Sequence, residues 1–174
     1  MEDEGKIFAI GVSNTTTFQM NNYGDIQADQ EKFNIFQRKS ELTGILDYCK
    51  NKGIDFFTYS PLAQELLTVK TKPGQTFPDG DVRNTNLFFS PNNIENANLM
   101  LEEWKPPSEK HIADLEQITA AWTFEYPGVI HVLLGTRTCK QAVRNSKVGN
   151  IQLEEDVEII NTIYEKYLSK PEVL

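Results

Sequence analysis

The residues best suited to chemistry lie in the stretch Val129–Asn145, VIHVLLGTRTCKQAVRN. Gly135 ends an apolar run, Arg137 follows, and Thr138 stands where a helix N-cap would stand. A strand, a glycine turn and a helix start aim unpaired backbone N–H groups and a positive dipole end at one place, which suits a phosphate. Arg137 adds a forked, permanent positive charge. Gln141 and Asn145 have i, i+4 spacing and share a helix face, where a base could lie. The bland alternative is a strand, a turn and a helix with a surface arginine.

Three other strand-like runs, of which Ile26–Lys32 is polar, end in residues of matching character. Ser13 and Asn14 follow Ile7–Val12 and bring a hydroxyl and an amide, able to pair with a carboxamide. Gln30 lies towards the end of Ile26–Lys32. Tyr59 closes Ile54–Tyr59 with a ring that can stack on a planar partner, and Ser60 and Leu62 behind it offer backbone N–H groups. Taken singly, a terminal tyrosine is more often core and Ser-Asn more often a turn. Their joint occurrence at successive strand ends points to one ligand site, because parallel βα folds bind ligands at the carboxyl ends of their strands.

The elements that must position these groups can be read from periodicity. Ile7–Val12, Ile26–Lys32, Ile54–Tyr59 and Val129–Leu134 read as strands, the last one buried on both faces. Thr15–Asn22 reads as a short helix. Glu41–Lys52 reads as one amphipathic helix with Leu42, Ile45, Leu46 and Cys49 inward, closed by Gly53. Asn93–Trp104 is helical and must break or kink at Pro106-Pro107. Asp114 with Gln117 opens a helix through Phe124, and Tyr126-Pro127-Gly128 turns into the fourth strand. A final helix spans Glu154–Leu168. Lys70–Asn92, rich in Pro, Gly, Asn and Asp, has the length of a lid rather than a connector. Repeated βα units predict a parallel sheet covered by helices.

Composition narrows the partners. The chain has 174 residues and a net charge of -8, which disfavours nucleic acid and acidic membranes. Two cysteines without CxxC spacing predict free thiols in a reducing, cytoplasmic setting. The acidic start MEDEGKIFAI does not read as a signal peptide, and no run approaches the ~18 apolar residues of a membrane span. Cys139, at a helix start where a thiol can be acidified, reads as structural because no base accompanies it. His131 inside the fourth strand reads as a core histidine. Asp79 and Asp81 read as solvated, with no metal.

Together IGVSN, Gln30 with FNIFQR, YSPLAQ-x-LLT and GTRT-x-x-Q-x-x-x-N closely resemble the aldo-keto reductases, as do PDGDVR and the ITAAW…PGV run. The resemblance covers nearly the whole chain. It implies the C-terminal half of a TIM-type (β/α)8 barrel, a single partial domain over residues 1–174 whose four parallel strands are barrel strands 5–8. It implies NADPH as cofactor. Ser13, Asn14 and Gln30 would hold the nicotinamide carboxamide, Tyr59 would stack on the nicotinamide, and Ser60 and Leu62 would line the pyrophosphate. The turn at Gly135, with Arg137 and Thr138, would hold the 2′-phosphate, Gln141 and Asn145 the adenine, and residues 70–92 would form the covering flap.

Departures from the family pattern set further expectations. Nothing in the sequence corresponds to the family's catalytic Asp, Tyr, Lys and His, so the chain is expected to be inactive alone. Glu65 and Val69 replace glycines of the family's AQGLLTGK. A half barrel has two unpaired strand edges, so a second copy or a separate chain supplying the missing half is the expected partner. The alternatives are a non-catalytic nucleotide-binding or interaction module, and a truncated gene product.

Overall fold

The structure, a computed structural model, describes residues 4–168. Among these, four short parallel strands form one sheet in sequence order: β1 (Gly11–Ser13), β2 (Ala28–Lys32), β3 (Asp55–Tyr59) and β4 (His131–Leu133). Ser13, Gln30, Phe57 and His131 form one row across the sheet. Lys32, Tyr59 and Leu133 form a later row, towards the carboxyl ends. The helices are α1 (Thr17–Asn22), α2 (Lys39–Leu42), α3 (Ile45–Lys52), α4 (Pro91–Glu103), α5 (Lys105–Lys110), α6 (Leu115–Glu125), α7 (Cys139–Asn145) and α8 (Asp156–Leu168). The chain divides into two units. One contains Met1–Pro61 and Thr123–Gly135; the other contains Leu62–Trp122 and Thr136–Leu174.

The first unit holds the sheet. Along β2 and β3 burial alternates. Asp29, Glu31, Phe56 and Thr58 are buried, whereas Ala28, Gln30, Lys32, Phe57 and Tyr59 are half-buried. Side chains alternate sides along a strand, so these sets are two faces of the sheet. The buried set shares a core with Met20, Phe33, Ile35, Leu46 and Cys49. The half-buried set carries Gln30 and Tyr59.

All four strands are shorter than the runs that announced them, and the outer two differ most. Of Ile7–Val12 only Gly11 and Val12 join the sheet, with Ser13 beyond them, and Phe8 and Ile10 are 101% and 43% exposed. The fourth strand is not buried on both faces: Ile130 is 49% and Leu133 40% exposed. Among the described residues each outer strand has a neighbour on one side only, so apolar composition is no guide to its burial. His131 is correspondingly no core residue. Its half-exposed ring lies 4.2 Å from that of Phe57.

The predicted single helix Glu41–Lys52 is two. Gly44, at φ 74, separates α2 from α3, and Leu42 faces solvent. A left-handed residue cannot continue a right-handed helix, and glycine adopts that conformation without strain. Gly128, at φ 96, is required for a second reason. A Cβ there would meet Leu46 Cδ2 at 2.3 Å.

The second unit is mainly helical. Ser90 caps α4 by accepting from Asn93 N, and Pro91 occupies its first turn. The helix thus starts two residues before the predicted Asn93. The break expected at Pro106-Pro107 falls just before them, at Trp104, which ends α4 and opens α5. α4 packs on α8, burying Ile94, Met100, Leu101 and Ile160, while Trp122 Nε1 donates to Asn161 Oδ1 at 2.9 Å. Residues 70–92 are held by their own side chains. Arg83 pairs with Asp81 at 2.7 Å and covers the Phe77 ring at 4.2 Å, and Phe77 meets Phe89 edge to face at 5.5 Å. Arg83 drives the Asp81 carboxyl down to about 2. Among the described residues no group of three or more His, Cys, Asp or Glu could hold a metal ion.

Asp29 and Glu31 give the first unit a pH dependence. Both carboxyls lie on the buried face, where Thr15 N donates to Glu31 Oε1 at 2.8 Å and Thr15 Oγ1 to Asp29 Oδ1 at 3.4 Å. Burial raises both above the usual carboxylate range, and the Asp29 charge raises Glu31 further. Burial, with these two charges, pushes the neighbouring Cys49 thiol to about 12. Raised carboxyls stabilise the fold below their unfolded pKa, and that stability is lost as pH rises through the folded pKa. Asp29→Asn should therefore stabilise the protein at neutral pH and flatten the fall in its stability from the ordinary carboxylate range up to neutral pH. Thermal melts across that range check this; a lower midpoint at neutral pH, or an unchanged profile, contradicts it.

Candidate functional site

In the first unit the strand-end residues singled out from sequence meet. Ser13 Oγ donates to the Gln30 carbonyl at 2.8 Å, and Asn14 Nδ2 donates to Ser13 Oγ at 3.0 Å. Tyr59 OH reaches past β2 and donates to Asn14 Oδ1 at 2.8 Å. Asn14 holds φ 54, the left-handed region that Asn tolerates better than most residues, while its N–H donates to the Gln30 carbonyl at 3.2 Å. The Gln30 side-chain amide makes no hydrogen bond among the described residues. Lys32 Nζ lies 6.0 Å from the Tyr59 ring centre. The result is a polar cluster of hydroxyl, amide and phenol groups at the carboxyl ends of β1, β2 and β3. Its chemistry suits a flat ligand bearing a carboxamide.

Asn34, the residue that holds this cluster in register, was passed over in the sequence. It is fully buried. Its Nδ2 donates to the Ser60 carbonyl at 2.8 Å and to Gln37 Oε1 at 3.0 Å; its Oδ1 accepts from Phe36 N and Gln37 N, each at 3.0 Å. Thr58 Oγ1 donates to the Phe33 carbonyl at 2.7 Å from the β3 side. The ends of β2 and β3 are thus tied, and Ser60 is held at φ 57. Arg38 adds an outer brace, bonded to Glu41 at 2.6 Å and to Tyr126 OH at 2.9 Å. The available signal was a lone amide within the apolar run FNIF, because a polar side chain there must find its partners inside the protein.

The other predicted contacts fall in the second unit. Leu62 begins a turn through Ala63, Gln64 and Glu65, which take φ 47, 57 and 76. Non-glycine residues there cost roughly 1–2 kcal/mol each. The Glu65 carbonyl accepts from Thr68 Oγ1 at 2.8 Å and Thr71 Oγ1 at 3.0 Å, while Asn86 Nδ2 donates to Gln64 Oε1 at 3.1 Å and Arg83 contacts Glu65 at 3.3 Å. These bonds hold the strained turn. Thr138 caps α7 by accepting from Gln141 N at 3.2 Å. Gln141 Oε1 completes the capping box, accepting from Arg137 N at 2.8 Å and Thr138 N at 3.1 Å. In this structure the Gln141 side chain therefore secures the helix start. Asn145 Nδ2 donates to Thr136 Oγ1 at 3.3 Å. The Arg137 side chain is exposed and has no ion pair among the described residues. Gly135 closes the first unit directly before this segment and has open space where a Cβ would stand. Cys139 is a free, exposed thiol.

Comparison with known proteins gives these groups a context. The family model described as "Aldo/keto reductase family" matches residues 1–165. The NADH-specific methylglyoxal reductase of Escherichia coli is 29% identical over 158 residues, covering 89% of this chain and 48% of that protein. Aldo-keto reductase YhdN of Bacillus subtilis is 31% identical over 174 residues, covering 97% of this chain and 52% of that protein. A structure of the glycerol dehydrogenase AKR11B4 from Gluconobacter oxydans superposes with a TM-score of 0.89 at 27% identity, covering 98% of this chain and 53% of that one. The chain thus spans about half the length of the curated relatives it matches.

The left-handed turn yields a stability test. Glu65→Gly removes a Cβ from a position at φ 76 and forfeits only a contact in which the Glu65 carboxylate is more than half exposed. Chemical denaturation should show the variant more stable by about 1 kcal/mol. A destabilised variant would mean that the bond to Arg83 outweighs the backbone strain.

Proposed function

The chain belongs to the aldo/keto reductase family, and from that premise we propose that its 174 residues are the nucleotide-holding portion of an NADPH-dependent aldehyde or ketone reductase. The observation that carries the proposal is the hydrogen-bonded set Ser13, Asn14, Gln30 and Tyr59. It supplies amide and hydroxyl partners for a carboxamide and an aromatic ring for a planar one. Arg137, which has no ion pair among the described residues, supplies a cation for a phosphate, beside the capped start of α7. Residues 70–92 form the flap. A reduced nicotinamide nucleotide supplies the hydride; these residues bind and orient it.

The four strands are barrel strands 5–8 in this proposal, and the half-buried sheet face with Gln30 and Tyr59 is the barrel interior. No position in the sequence matches the family's catalytic Asp, Tyr, Lys and His, so the 174 residues have no turnover by themselves. The proton donor comes from residues outside this sequence, on the same polypeptide or another. The same lack favours a second reading, a nucleotide-binding module without catalysis, whose signature is NADPH binding without turnover after complementation. Two free cysteines support a reducing, cytoplasmic setting, and no helix among the described residues is long and apolar enough to cross a membrane.

NADPH is preferred over NADH because of Arg137, although one relative is by name NADH-specific. Fluorescence titration of the chain should show NADPH binding tighter than NADH. Arg137→Ala should weaken NADPH by about tenfold to a hundredfold and leave NADH nearly unchanged. No NADPH binding by the parent chain would remove the proposal; equal losses for both nucleotides would remove the 2′-phosphate assignment.

Exposed Phe8, Ile10, Ile130 and Leu133 beside the outer strands support a second copy, or a chain carrying the complementary strands, as partner. Light scattering of the isolated chain at micromolar concentration should give a dimer or larger species. A well-behaved monomer contradicts this.

A further inference from the structure

A cavity of about 710 Å³ in the second unit is used by none of the nucleotide-holding residues. Its lining combines Ile112, Val143 and Ile151 with Lys140, Arg144 and Lys147. We infer that it is a second ligand site, for a small organic anion with an apolar body, namely a monocarboxylate with a short aliphatic chain.

The sign of the charge is the first reason. The chain carries a net charge of -8, yet three cations and one carboxylate, Asp114, line this cavity. Lys140, Arg144 and Lys147 follow i, i+4, i+7 spacing, so they lie along one side of α7 and its continuation. Gln141 and Asn145 are each one residue further on, about a quarter turn round the helix. Neither Lys140 nor Lys147 has an ion pair among the described residues. Arg144 contacts Glu116 at 3.4 Å and Asp114 at 4.0 Å, but Lys70 shares Glu116 at 2.9 Å. Arg144 Nε is buried and finds no acceptor among the described residues, so Glu116 and Asp114 leave the guanidinium incompletely satisfied.

The apolar part is the second reason. Ile112 is 95% exposed and sits at φ 50, a conformation costly for a β-branched residue. Its segment is held there by Ile112 N donating to the Glu109 carbonyl at 3.2 Å and Ala113 N to the Ser108 carbonyl at 3.0 Å. His111 is pinned by Asp156 Oδ2 at 2.8 Å, and Lys110 Nζ contacts the same oxygen at 2.8 Å. Burial alone would raise Asp156, but Lys110 and His111 outweigh it and keep the group ionised below the usual range. The wall bearing Ile112 is therefore set before any ligand arrives. Val143 is also exposed. The volume suits a small molecule, and exposed apolar side chains framed by cations suit a carboxylate with a hydrocarbon tail better than a bare anion.

Isothermal calorimetry with octanoate tests this, independently of NADPH binding. Octanoate should bind saturably, one per chain, and shift the methyl NMR signals of Ile112 and Val143. Octan-1-ol and inorganic phosphate, which lack the charge and the tail respectively, should each bind at least about tenfold more weakly. The double substitution Lys140→Ala with Lys147→Ala changes two exposed side chains; it should leave the melting temperature in place and weaken octanoate by about tenfold. The inference is overturned by any of these results: no octanoate binding, octanol or phosphate binding equally well, methyl shifts elsewhere only, or an unaffected double variant.

Discussion

The buried amide of Asn34 is the contact on which the strand-end cluster depends. It uses both donors and accepts twice, and one of those bonds reaches the Ser60 carbonyl directly after β3. A buried amide with its bonds made is rigid, because each alternative orientation leaves a polar atom unpaired. That rigidity passes to Tyr59 and on to Asn14 through the phenol hydroxyl. Residues separated by 45 positions thereby share one cluster.

The two faces of the sheet have opposite chemistry from their common alternation. Asp29 and Glu31 face the covered side with Phe56 and Thr58, while Gln30 and Tyr59 face the less covered side. Two carboxyls on the covered side oppose stability at neutral pH, since burial favours their protonated forms. The fold tolerates them through Thr15, which bonds both. Left-handed backbone strain occurs at Asn14 and Ser60 in the first unit and at the turn Ala63–Glu65 in the second, each held by hydrogen bonds or ion pairs. This distribution is common at functional sites, where surrounding contacts over-determine the backbone.

Much of the architecture was legible in the residues. The parallel strands, the cap at Thr138, the opening of α6 at Asp114–Gln117 and the placing of Ser13, Asn14 and Tyr59 at strand ends all follow from local signals that tertiary packing left in place. The errors have physical causes. Glu41–Lys52 was read through Gly44 because the apolar spacing continues across it, whereas its left-handed backbone breaks the helix. Val129–Leu134 was read as doubly buried because composition cannot tell an edge strand from a central one. Asn34 was missed because a single amide carries no periodic signal.

By itself the sequence determined the chemical types at the strand ends and the repeating βα order, both set by residue identity and short-range spacing. Tertiary structure alone decided which of those groups touch, that Gln141 turns back to cap its own helix, and that His131 lies open beside Phe57. It also decided that three cations and an exposed isoleucine line one cavity. Spacing along a chain fixes which side of an element a residue occupies; what covers that side depends on segments distant in sequence.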